Sequence, residues 1–84
     1  PDGRVPMREI DLMFRGRLDP ADVLKAAAGS PSAEFYAHLY VGLYLESTGD
    51  TARGLAEIRL AASAAYARVG GYMHDVARVH LLSR

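Results

Sequence analysis

Cysteine is absent from these 84 residues. No disulfide framework and no thiolate metal site can therefore exist, and packing alone must hold the fold. That absence fits a reducing compartment. Lysine is almost missing too: Lys25 is the only one, and the other nine basic residues are arginines. Beside abundant alanine, this arginine excess reads as codon bias. Charge of one sign is also lacking, because ten basic side chains meet ten acidic ones. A chain that binds nucleic acid by neutralising phosphates carries a basic excess, so no nucleic-acid partner is expected. Long apolar runs are missing as well. The most apolar stretch, Phe35 to Leu45, falls short of the roughly 20 residues that cross a bilayer, so no membrane partner is expected. The start, Pro1-Asp2-Gly3-Arg4, has no apolar run behind it, and no signal peptide is expected there. A soluble, cytoplasmic protein is the expectation. The first residue is not methionine, as in a piece of a longer protein.

Half of the residues are hydrophobic, which excludes a disordered chain and supports burial in one domain over 1–84. Alternating apolar runs bounded by turns are lacking, so the chain is expected to be all-α. Punctuation divides it into five helical stretches. The first runs from Pro6 to Arg15, with Met7, Ile10, Met13 and Phe14 at helical spacing and Gly16 as its stop. The second opens at Asp19-Pro20-Ala21-Asp22, where Asp19 suits an N-cap and Pro20 the first helical position. It continues to Gly29. Ser30 or Ser32 then caps a third helix from Ala33 to Thr48. Between Phe35 and Leu45 only His38 and Gly42 are not plainly apolar. A helix hydrophobic all round is covered on more than one side, which makes this one the centre of a stack. Gly49-Asp50 supplies a stop and the next N-cap. The fourth helix is expected from Thr51 to Val69, with Leu55, Ile58, Ala62, Ala65, Tyr66 and Val69 in one stripe. Gly70-Gly71 ends it, and a fifth helix runs from Tyr72 to Leu82.

The chemistry-bearing residues form no recognisable constellation. His74 and His80 lie six apart on one helix and so point to different faces, away from the i, i+4 spacing of metal ligands. His38 meets either of them only through tertiary contact. A small histidine-dependent enzyme would need two of these rings to converge. No serine or threonine sits in a nucleophile turn, and no glycine loop has a phosphate-binding pattern. Glu34, Glu46 and Glu57 are scattered over different turns. Neither catalytic residues, a metal nor a cofactor is expected. Arg53 and Glu57 are spaced for an i, i+4 ion pair, worth roughly 0.2–0.5 kcal/mol. Arg68, Arg78 and Arg84 make a modest basic patch whose default reading is solvation.

Gly16 and Gly49 each stand in a tight turn between helices, 33 residues apart, close to the period of a helix–turn–helix repeat. Within Phe35 to Ala62, Gly42 takes a small packing position and Leu45 a large one. Gly49-Asp50 makes the turn, Ile58 takes a large position in the second helix, and Ala61 the small one after it. This stretch resembles one tetratricopeptide (TPR) repeat. Three features depart from the pattern: His38 stands where tryptophan is usual, Gly54 replaces an alanine, and no proline closes the repeat near Tyr66. Residues 6–29 and 72–82 resemble degenerate half-repeats. The resemblance implies antiparallel helical hairpins stacked as a short right-handed array.

TPR arrays use the inner face of their first helices to hold peptides or partner proteins. On this chain the resemblance puts Tyr36, Leu39, Tyr40, Leu43, Glu46 and Ser47 on that face. The lysine and asparagine that grip a terminal carboxylate in some members are replaced by tyrosine and leucine, so an apolar groove studded with tyrosine is implied. The expected function is an interaction module or scaffold that binds a partner peptide or domain. The alternatives are that neighbouring helices cover this face, or that apolar repeat ends self-associate as a homodimer.

Overall fold

The structure is a computed structural model that describes residues 6–83. The readings of Pro1 to Arg4 and of Arg84 lie outside the described residues. Six α-helices account for the described chain: α1 (Met7–Phe14), α2 (Pro20–Ala27), α3 (Pro31–Ser47), α4 (Thr51–Ala61), α5 (Ala67–Gly70) and α6 (Tyr72–Leu82). A single 3-10 turn, Ala64–Tyr66, leads into α5. Among the described residues there is no strand, and the fold is all-α.

Two of the helix ends follow directly from glycine. At the end of α1 the Gly16 N–H donates to Met13 and the Arg17 N–H to Leu12; at the end of α3 the Gly49 N–H donates to Glu46 and the Asp50 N–H to Leu45. Both are Schellman closures, which need a left-handed residue after the helix, and Gly16 and Gly49 supply it at φ +75° and +97°. The caps at helix starts are less uniform. Ser30 Oγ accepts from the Ala33 N–H at 3.4 Å, with Pro31 in the first turn. Asp19 and Asp50 occupy N-cap positions, but neither carboxylate bonds a helix N–H; Asp50 instead receives Arg53 Nη1 at 3.2 Å. The Arg53–Glu57 pair that spacing favours does not form, because Glu57 is taken by His38.

α3 is the centre of the molecule, as its all-round apolar character requires. One of its faces, Ala33, Ala37, Val41 and Leu45, packs with Ile10 and Met13 of α1 and Val23 and Ala27 of α2. Its other face, Phe35 and Leu39, packs with Ile58, Ala61 and Ala77 from α4 and α6. α3 and α4 form an antiparallel hairpin. Towards the end of α3 Glu46 lies beside Gly54, near the start of α4; earlier in α3, His38 meets Glu57.

The hairpin closes at two glycines. A Cβ on Gly54 would lie 2.7 Å from the Gly42 carbonyl oxygen, and one on Gly42 would lie 2.7 Å from that of Gly54 while colliding with Ile58. At Gly54 no Cβ fits, because the backbone of α3 lies too close.

The fourth helix is shorter than the stripe from Leu55 to Val69 predicts. It stops at Ala61, and Ser63 turns to an extended conformation at ψ 161°. Tertiary contacts override the helical spacing here. The Ser63 hydroxyl donates to Leu60, the Ser63 carbonyl accepts from His74, and Tyr66 swings back to donate to Glu34. Gly70, expected as part of a stop, is buried against Phe35, where a Cβ would come within 2.9 Å of the ring.

Candidate interaction surface

Between its two buried faces α3 keeps one open line. Tyr36, Tyr40, Leu43 and Ser47 stand at i, i+4, i+7 and i+11, and this spacing places them along one side of a helix. The first three are half-buried and Ser47 is exposed. Tyr36 and Tyr40 stack with ring centroids 6.5 Å apart and planes 19° from parallel. Their bases rest on the α1–α2 cluster, while Leu43 leans on the α4–α6 cluster. Apolar support on both flanks fixes the rotamers, and a fixed amphipathic ring is a good contact element because little entropy remains to be lost.

Of the six residues expected on this face, these four share the open line. Leu39 does not: it is 1 % exposed and belongs to the core with Phe35 and Ile58. Glu46 turns toward α6, where its Oε1 accepts from His80 Nε2 at 2.7 Å and its side chain is 8 % exposed. The reason is the helical period, since Leu39 and Glu46 sit on the side that meets α4 and α6. Two aromatic residues extend the surface beyond the expected set. Tyr44, four residues after Tyr40, meets Phe14 of α1 edge-on at 5.4 Å, and Phe14 itself is 50 % exposed. The tyrosine spacing along α3 carries the signal for Tyr44. Nothing in the spacing of α1 separates exposed Met7 and Phe14 from buried Ile10 and Met13.

The histidines do structural work at three different joints. An ionised carboxylate only accepts, so the His38 Nδ1–H donates to Glu57 at 2.7 Å and ties α3 to α4. By the same logic the His80 Nε2–H donates to Glu46 and ties α6 to α3. The His74 Nε2–H donates to the Ser63 carbonyl at 2.9 Å and holds the kink after α4. Tyr66 completes a polar cluster over α3. Its hydroxyl donates to Glu34 Oε1 at 3.2 Å, its ring lies 5.8 Å from that of His38, and Glu34 Oε2 accepts from the Gly29 N–H. Burial, then the Glu34 hydrogen bond and charge, raise the phenol above its usual 10.0. Each histidine thus has its own partner, and none pairs with a nucleophile. Among the described residues no group of three or more histidine or carboxylate side chains is arranged to hold a metal. No helix there is long and apolar enough to cross a membrane.

No protein-family model matches the chain, and neither does any curated protein or solved structure.

Proposed function

We propose that this chain is a protein–protein interaction module, a TPR-like scaffold domain that binds a partner peptide or domain through the tyrosine-bearing line of α3. The observation that carries the reading is that line itself: Tyr36, Tyr40, Leu43 and Ser47 stay accessible on a helix whose other sides are packed. A half-exposed aromatic row on a rigid element is a recognition surface in the making, because tyrosine offers contact area and a polar tip together. The matching closures at Gly16 and Gly49, 33 residues apart, favour a reading as stacked hairpins of TPR type. In that reading α1, α3 and α6 take the inner positions. The only lysine, Lys25, is on α2, so an apolar or aromatic partner segment suits the face better than a terminal carboxylate.

The test is affinity capture from a native cell extract, identification of the bound protein, and calorimetric titration of that purified protein. Wild type is compared with Tyr40→Ala plus Leu43→Ala, after circular dichroism shows both to be helical. The double variant is expected to bind about tenfold or more weakly, as loss of central aromatic and aliphatic anchors does. Equal affinities would remove α3 from the interface.

A further inference from the structure

The zero net charge conceals a local imbalance. From Asp50 to Ser83 four arginines meet three carboxylates. All three carboxylates are engaged, Asp50 by Arg53 at 3.2 Å, Glu57 by His38 at 2.7 Å and Asp75 by Arg78 at 3.6 Å. Arg59 has no ion-pair partner among the described residues. Arg59 and Arg78 border a groove of about 290 Å3 between α4 and α6, completed by Ala62, Leu81 and Leu82. The outer side of α6 is apolar too. Leu82 is 81 % exposed, and Tyr72, Val76 and Val79, spaced i, i+4 and i+7, stand opposite buried Ala77. Exposed aliphatic and aromatic side chains in one row, with Leu82 shared between that helix and the groove, offer apolar contact area to a partner. The cationic rim selects the sign of what comes there.

We infer that this α4–α6 face binds an acidic amphipathic helix of a partner protein. An aliphatic side chain of that helix enters the groove against Ala62, Leu81 and Leu82, and its flanking carboxylates meet Arg59 and Arg78. A helix fits better than an extended peptide, because among the described residues there is no strand edge to extend and the groove lies between two helices. The face is separate from the α3 line, so the two are tested independently.

The probe is a synthetic peptide of about 18 residues, five helical turns, with leucine along one side and glutamate flanking it. A second peptide has lysine in place of every glutamate. Fluorescence anisotropy at low salt is expected to show binding of the glutamate peptide and little binding of the lysine peptide. Arg59→Glu plus Arg78→Glu should weaken the former by about tenfold or more, and so should salt at about 0.5 M. Leu82→Asp, at a position too exposed to affect folding, should weaken it as well. Equal affinity for both peptides, or no change in the double arginine variant, would overturn the inference. So would preferential binding to phosphatidylserine-containing vesicles, which assigns the face to a lipid surface. A dimer that sediments as such and dissociates in Leu82→Asp would assign it to a second copy and overturn it equally.

Discussion

Replacing Gly54 with alanine sets two effects of opposite sign against each other. Gly54 is inside α4, where alanine is intrinsically better than glycine by about 1 kcal/mol. The new methyl group, however, would lie 2.7 Å from the Gly42 carbonyl oxygen, 2.7 Å from Glu46 Cγ and 2.9 Å from the Glu46 nitrogen. Two of these neighbours are backbone atoms, which cannot rotate away, so α3 and α4 must separate. Overpacking of this kind typically costs about 1–3 kcal/mol, and a backbone neighbour puts this site near the upper value. The net expectation is a loss of about 1–2 kcal/mol, a fall of roughly 4–16 °C in the melting temperature of a domain this small. Thermal and urea unfolding followed by circular dichroism measure it. Gly42→Ala plus Gly54→Ala should lose less than the sum of the two single losses, since both methyl groups push the same crossing apart. An alanine variant at 54 that is more stable than wild type, by its helix propensity, would refute the close-crossing argument.

Phe35→Ala removes a fully buried ring that touches Tyr36, Tyr66 and His74. It should destabilise by about 3–5 kcal/mol, a large share of the roughly 4–13 kcal/mol usual for this length; a urea midpoint close to wild type would count against the second core. Tyr66 has its phenol pKa raised in the folded state, so its contribution is fully present below pH 10.0 and is lost as pH rises through the folded value. Near-ultraviolet absorbance titration of Tyr66→Phe should lack an ionisation step above that pH, and a lost step at or below it would contradict the Glu34 contact.

Much of the fold is legible in the residues because local and tertiary demands agree. The unbroken apolar run of α3 places it at the centre before any contact is known. The closures at Gly16 and Gly49 are local chemistry, decided within six residues. The end of α4 is different. Ala62, Ala65 and Val69 continue a helical stripe, and only the distant partners Glu34 and His74 explain why the chain turns at Ser63. A period alone also leaves open which side of an apolar helix faces which neighbour. Leu39 and Leu43 look alike in the sequence, yet one is sealed in the core and the other lines the open side. Gly54 reads as a departure from the repeat and becomes intelligible only opposite Gly42. Arg78 belongs to the basic patch that the sequence offers, but its pairing with Arg59 across one groove arises only where α4 and α6 meet.

The most direct test of the account follows the nuclear resonances of isotope-labelled chain as the captured partner is added. The largest shifts are expected at Tyr36, Tyr40, Leu43 and Ser47, with smaller ones at Phe14 and Tyr44. Shifts confined to α6 and α4, with the α3 line unmoved, would contradict it.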